Sequence, residues 1–149
     1  FESQRLDAGL RTEAEGIYAA GDIANQFHPF FNDRIRVEHW ANARRQGFAA
    51  GRSMAGAEVI YDDLPYFFSD QYEVGMEYVG FASDWDEVVI RGSKESREFI
   101  AFWLKDGRIQ AGMNVNIWDV SETIGELIKS KRQIDLVALA DPDTDLATI

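Results

Sequence analysis

Thr12-Glu13-Ala14-Glu15-Gly16-Ile17-Tyr18-Ala19-Ala20-Gly21-Asp22 decides how this chain is read. The apolar run Ile17–Ala20 predicts a short buried strand, and the strand ends on Gly-Asp. Glycine lets a backbone approach a ligand closely. An ionised Asp22 only accepts hydrogen bonds, so it pairs with hydroxyl donors. A helix following such a strand would aim its N–H groups at a phosphate.

Outward from that motif, Asn25–Arg34 carries Pro29 and three Phe and reads as a loop. A helix is expected from near Arg36 to about Met54, with Val37, Trp40 and Ala41 on one face. Gly47, Gly51 and Ala55 recur every fourth residue. Each glycine costs a helix about 1 kcal/mol relative to alanine, so close approach to a sheet or ligand is expected there. Gly56 suits a C-terminal cap.

From Glu58 the pattern changes, and Pro65 opens a series of short strands. Val74, Met76 and Tyr78 alternate with Gly75 and Glu77, and Glu87–Arg91 is briefly apolar. Glu98–Leu104 and Arg108–Ile117 flank Asp106-Gly107, the strongest short hairpin signal. Phe99–Leu104 is apolar throughout, so both faces should be covered. Ile109, Ala111, Met113, Val115 and Ile117 are expected on one face, with Gln110, Asn114 and Asn116 on a half-exposed opposite face. Asp119-Val120-Ser121-Glu122 resembles a capping box for a helix burying Ile124, Leu127 and Ile128. Asp135 could cap a last short helix, ended by Asp141-Pro142. The aromatic residues Tyr66, Phe67, Phe68, Tyr72, Phe99, Phe102 and Trp103 read as core. The fold class is α+β: an antiparallel sheet with flanking helices, preceded by one strand and one helix of an incomplete α/β domain.

Composition narrows the function classes. Of the net charge of −11, none comes from residues 1–56, where seven Arg balance seven Asp and Glu. Residues 57–149 are strongly acidic, which argues against nucleic acid as a partner. There is no cysteine, so disulfides and Cys-ligated metals are excluded and a cytoplasmic setting fits. No apolar run approaches the ~20 residues that span a bilayer. His28 has no partner at metal-ligand spacing, so no metal site and no separate catalytic residue is assigned. The chain begins on Phe1 and is read as part of a longer protein.

The motifs together resemble one family. The Gly-Asp stretch is similar to the second FAD-contacting motif of two-dinucleotide-domain flavoproteins. Arg36-Val37-Glu38-His39-Trp40 and Ala43-Arg44-Arg45-Gln46-Gly47 look like the helix that follows it in ferredoxin and rubredoxin reductases and in apoptosis-inducing factor. Pro65-Tyr66-Phe67-Phe68-Ser69-Asp70-Gln71-Tyr72 resembles the segment opening their C-terminal domain, with Phe68 where Trp is usual. Val89-Ile90-Arg91-Gly92 and the Asp-Gly hairpin fit the same domain.

The resemblance implies residues 1–56 as the end of an FAD-binding domain and 57–149 as the reductase C-terminal domain. It implies an oxidoreductase passing electrons from NAD(P)H through FAD to a ferredoxin- or rubredoxin-type acceptor. Gly21 and Asp22 would bind the FAD ribityl and pyrophosphate region. Glu38, His39 and Trp40 would lie beside the isoalloxazine and nicotinamide, with Phe68 walling that site. An apoptosis-inducing-factor-like NADH oxidoreductase fits the same residues, and a non-catalytic interaction or dimerisation module is the contrasting reading. Neither G-x-G-x-x-G motif is present, so the fragment alone is expected to be inactive. A lone strand-and-helix piece should leave an apolar face uncovered, for which a homo-oligomer is one remedy. Arg34, Arg36, Arg44, Arg45 and Arg52 form a basic cluster, read either as a solvated helix face or as a dock for an acidic electron-transfer protein.

Overall fold

The computed structural model describes residues 3–149. They divide into two units, 1–65 and 66–149, so the boundary falls later than the shift at Glu58 suggests. Tyr61 explains the difference. It is buried in the first unit's core, and its N–H donates to the Ala8 carbonyl (2.9 Å). The composition change at Glu58 marks the end of a helix, and the chain leaves the first unit only after Leu64.

The first unit holds a three-stranded sheet in the order β1 (Gln4–Leu6), β2 (Ala24–His28), β3 (Asp33–Arg36), with β1 parallel and β3 antiparallel to β2. The expected loop at 25–34 is therefore largely strand. Its inward positions are Ala24, Gln26 and His28, all buried. Two of the three are polar and hide the period-two apolar signal. The expected strand at Ile17–Ala20 is only half-buried, with Tyr18, Ala19 and Ala20 against the core: it makes a single bridge, Arg11 to Tyr18, and Ile17 is exposed. A strand persists only where its N–H and C=O groups find a neighbour. Among the described residues only the short arm around Leu10–Thr12 supplies one.

Helix α1 runs over Trp40–Met54. It starts four residues later than Arg36, because Arg34–Arg36 pairs with β2 instead. Val37 is buried just outside the helix, but Trp40 is exposed, so the expected Val37-Trp40-Ala41 face is not the packed one. The buried face is Asn42, Gln46, Ala49, Ala50 and Ser53, at helical spacing. Gly47 and Gly51 look into open space, with nothing within 4 Å of a Cβ built at either. Among the described residues nothing makes the close approach expected there. At the other end, Gly56 has φ +87°, its N–H donates to Ser53 O (3.0 Å), and Ala57 N–H donates to Arg52 O (3.1 Å). That paired closure is the Schellman motif, so the expected cap is present.

The second unit is a five-stranded antiparallel sheet in the order β4-β5-β8-β7-β6, with ranges Tyr66–Gln71, Val74–Gly80, Arg108–Val115, Glu98–Lys105 and Glu87–Ser93. β7 and β8 are joined by Asp106-Gly107, both at positive φ (49° and 70°), as a two-residue type I′ hairpin needs. Phe102 and Leu104 are fully buried, as the apolar run predicts. In β8 the expected facing fails. Trp103 pairs Ala111 while Leu104 pairs Ile109, so Gln110 is an extra residue in a β-bulge. A bulge switches the side-chain alternation. Gly112 and Asn114 consequently share the inner face with Ile109, and Asn114 is completely buried rather than half exposed.

Helix α2 (Ser121–Ser130) lies over β5 and β8, and α3 (Leu136–Ala140) over β6. Ile124, Leu127 and Ile128 are buried beneath α2. Asp119 does not cap α2: Val120 occupies the cap position, no side chain caps it, and Asp119 itself sits at φ +61°. Asp135 does cap α3, accepting from the N–H groups of Val137 (2.9 Å) and Ala138 (3.4 Å). The opposite sheet face carries an aromatic ladder, Phe67 stacked on Tyr78 at 5.2 Å and Tyr78 tilted against Trp103 at 5.7 Å. Phe68 and Tyr72 are exposed and not core. Among the described residues no helix is long and apolar enough to cross a membrane.

Candidate functional site

The Gly21-Asp22 turn is held against the first turns of α1. Gly21 has φ +81°, and a Cβ built on it would sit 3.3 Å from the Ala43 Cβ. Glycine is therefore required twice over, by backbone sign and by the approach of the helix. The buried Gly21 N–H donates to Gln46 Oε1 at 2.8 Å, and Gly21 O accepts from the Ala24 N–H at 2.8 Å. These bonds turn Asp22 outward, where its carboxylate is exposed.

Glu38, His39 and Trp40 stand at the start of α1. His39 is the N-cap residue, no side chain caps the helix, and the first turn carries no acidic residue. The N-terminal end of α1 thus keeps its positive dipole end without a carboxylate of its own. Burial pushes the His39 imidazole below its ordinary pKa, and the nearby Asp22 charge pulls the other way. Glu38 is exposed and pairs with Arg36 at 2.5 Å. Trp40 is 72% exposed, with the Arg44 guanidinium 5.3 Å over its ring. The first unit therefore brings together Gly21, Asp22, His39 and, beside them, Glu38 and Trp40. Phe68 belongs to the second unit, where it is exposed on β4 opposite Glu77.

Sequence reading missed the residues that hold this arrangement. From Gly21, a chain of hydrogen bonds runs through Gln46 to Gln26 (Nε2 to Oε1, 2.9 Å) and from Gln26 Nε2 to the Tyr61 carbonyl (2.5 Å). The Tyr61 hydroxyl donates to Asn42 Oδ1 (3.1 Å), and Asn42 Nδ2 donates to Val37 O (3.2 Å). Both ends of the candidate site, Gly21-Asp22 and the Val37–Trp40 entry, are fixed by one buried polar network. Burial raises the Tyr61 hydroxyl to about 12, so it remains a donor throughout the working pH range. The signal in the sequence was the polar face Asn42, Gln46, Ser53 at i, i+4 and i+11 of α1.

In the second unit the organising groups are Glu77 and Arg91. The Glu77 carboxylate accepts from Tyr66 OH (2.7 Å), Asn114 Nδ2 (2.8 Å) and Ser121 Oγ (2.6 Å). It binds three strands and the start of α2. Burial opposes its charge, but the three donors outweigh burial and hold its pKa below the usual carboxylate value. Arg91 is buried and spends its guanidinium on backbone carbonyls, including Leu139 (3.4 Å), Asp141 (2.6 Å), Pro142 (3.1 Å) and Thr144.

An antiparallel sheet of this order with helices on one face, following a Gly-Asp turn packed on a helix, defines an α+β class of domain joined to a separate motif-bearing unit. The chain belongs to the Reductase C-terminal family, whose model matches residues 66–149. It is 34% identical over 145 residues to the ferredoxin–NAD(+) reductase component of the anthranilate 1,2-dioxygenase system of Burkholderia cepacia, covering 97% of this chain and 36% of that protein. A crystal structure of a ferredoxin reductase from Rhodopseudomonas palustris matches with a TM-score of 0.89 and 30% identity, over 98% of this chain and 36% of the other. The covalent putidaredoxin reductase–putidaredoxin complex matches with a TM-score of 0.88 and 26% identity, over 97% and 34%. The chain spans about a third of the length of such relatives.

Proposed function

We propose that this chain is the C-terminal part of an FAD-dependent NAD(P)H oxidoreductase that delivers electrons to a ferredoxin- or rubredoxin-type acceptor. The observation that carries the reading is the Gly21-Asp22 turn set against the uncapped start of α1. A turn with an exposed carboxylate suits polyol hydroxyls, and a helix start without acidic residues suits partial negative charge on the cofactor. The residues present fit the flavin on both counts. The relatives named above, both full reductases and a reductase caught with its protein acceptor, support the same reading.

When bound, FAD would supply the redox chemistry that couples hydride transfer from a nicotinamide to release of single electrons. This chain's own residues do the rest. Asp22 would accept hydrogen bonds from the ribityl chain. Gly21 leaves room for it, and Gln46 keeps Gly21 in place. His39, kept largely neutral near pH 7 by burial, offers a hydrogen-bonding ring beside the flavin without adding charge. Glu38 and Trp40 flank it. The placement of Phe68 beside the nicotinamide rests on the family resemblance.

The test is flavin retention. The purified chain is incubated with excess FAD and desalted, and absorbance near 450 nm is read (roughly, a property of the cofactor). Retained flavin in the wild type, lost in Asp22→Ala, is the expected result. A colourless wild type would withdraw flavin binding from this chain and leave only the C-terminal module.

A further inference from the structure

The chain that joins the two units has no regular secondary structure between Tyr61 and β4. Two side chains of β2 hold it. Gln26 Nε2 donates to the Tyr61 carbonyl (2.5 Å), and His28 Nε2 bonds the Asp63 carbonyl (3.1 Å). Gln26 and His28 are alternate inward residues of one strand, and Tyr61 and Asp63 are alternate residues of the joining chain, so the two rungs share the spacing of a strand. Among the described residues no other hydrogen bond ties residues 62–65 to the first unit. A carbonyl only accepts, so Nε2 carries the hydrogen and the neutral ring leaves Nδ1 bare. His28 is 1% exposed, the Phe31 ring lies 4.8 Å from its own, and Nδ1 has no hydrogen-bond partner among the described residues. An imidazolium there would add a buried charge and a second N–H with no acceptor.

We infer that His28 is a proton-released latch: it holds Asp63 to the first unit at neutral pH and frees residues 62–65 when Nδ1 takes up a proton. The charged groups around the ring are the carboxylates of Asp62 and Asp63, on the joining chain itself, and Asp33, the cross-strand partner of His28 on β3. All three residues are exposed. Arg45 acts on the neighbouring Tyr61, whose hydroxyl stays neutral. Once the ring swings out, water and these carboxylates receive the N–H that the closed site cannot. Gln26 is an amide with no proton to gain, so its hold on Tyr61 is independent of pH and the release stops there. Burial keeps the pKa of the latched ring below its ordinary value, against the pull of Asp63 and Asp62. The open ring returns toward about 6.5, so the open form binds the proton more tightly. Between the two values, each pH unit of acidification favours the open form by up to about tenfold.

The experiment is nitrogen-15 relaxation on the full chain, read at the amides of Asp62, Asp63 and Leu64 at about pH 7.5 and about pH 5, either side of the ordinary histidine value. The ring-carbon resonance of His28 is titrated in the same samples, and exchange protection of the Tyr61 N–H, which donates to Ala8 O, reports on the rest of the first unit. In wild type the order parameters of the three amides should fall from about 0.85 to below about 0.6, with the midpoint of the His28 titration, while Tyr61 stays protected. His28→Gln keeps a donor for the Asp63 carbonyl and has nothing to titrate, so its segment should stay ordered at both pH values. His28→Leu has no donor, and its segment should be mobile at both. Should the leucine variant not fold, wild type against glutamine decides. Unchanged order in wild type while His28 titrates would overturn the inference. So would a pH-dependent loss that persists in His28→Gln, which would place the titrating group at Asp33, Asp62 or Asp63. Loss of Tyr61 protection together with the segment would also overturn it, because the first unit would then be unfolding as a whole.

Discussion

Replacing Gln46 by Leu tests the link between the buried network and the candidate site. Leucine fills nearly the same volume on the same helix face but has no polar atoms. Two buried groups lose their partners at once, the Gly21 N–H (now 2.8 Å from Gln46 Oε1) and Gln26 Oε1 (2.9 Å from Gln46 Nε2). Gln26 is 1% exposed and Gly21 is buried, so water cannot easily replace either bond. Each orphaned buried group costs about 1–3 kcal/mol, and the pair therefore about 2–6 kcal/mol. Gln46→Glu is the informative companion. A carboxylate can still accept from Gly21 N–H, but it faces Gln26 Oε1 with a second acceptor. Turning the Gln26 amide would restore that contact and strip the Tyr61 carbonyl of its donor. The glutamate variant should fall between wild type and leucine. Urea unfolding measures the stability, and FAD retention measures the turn. A leucine variant within about 1 kcal/mol of wild type that keeps full flavin binding would refute the claim that this network positions Gly21-Asp22.

Three further perturbations have signed outcomes. Arg91→Ala removes the cation shared by the carbonyls of residues 138–144 and should destabilise the second unit by about 2–4 kcal/mol. Hydrogen exchange should show lost protection in α3 before the sheet, and unchanged exchange there would contradict the assignment. Gly112→Ala would put a Cβ 2.6 Å from Ile124 Cγ2 and should cost about 1–3 kcal/mol by overpacking. Ile124→Leu, which lacks that methyl, should recover part of the loss in thermal unfolding. Burial lowers the His28 pKa against the opposing pull of Asp63 and Asp62. The folded state then binds fewer protons than the unfolded state below about pH 6.5. Its contribution is complete above that pH and is lost as pH falls through the folded value. Urea midpoints between pH 7.5 and 5 should drop more steeply for wild type than for His28→Gln, and parallel curves would exclude His28 as the cause.

The legibility of the chain follows from where its polar residues are buried. Strands β4–β8 could be read because apolar alternation and Asp106-Gly107 both act locally. Helices α2 and α3 could be read because their buried faces are Ile and Leu. Strand β2 could not, since Gln26 and His28 are interior residues whose burial depends on Gln46, Tyr61 and Asp63, far away in sequence. The start of α1 was misplaced for a related reason: Asp33–Arg36 has an exposed-exposed-buried-exposed strand pattern with only Ile35 inside. The bulge at Gln110 is invisible to a period-two count, yet it decides which side of β8 meets α2. For the candidate site, Gly21, Asp22 and the Glu38–Trp40 run were recognisable as a motif. The network joining them was not, because no motif encodes a hydrogen bond between residues 20 or 35 positions apart.

Arg91 binds its neighbouring segment through carbonyl oxygens alone. Carbonyls are common to every residue type, so the arginine reads the path of that segment and not its spelling. The side chain at 138 is free to drift over evolutionary time so long as the path is kept, while Asp141 and Thr144 hold that path through their own bond (2.7 Å) and the arginine has no equivalent substitute. Lysine offers a point charge with three donors and cannot fan out to reach as many oxygens. Among descendants of this sequence, the segment should therefore vary outside Asp141 and Thr144, opposite an arginine that does not.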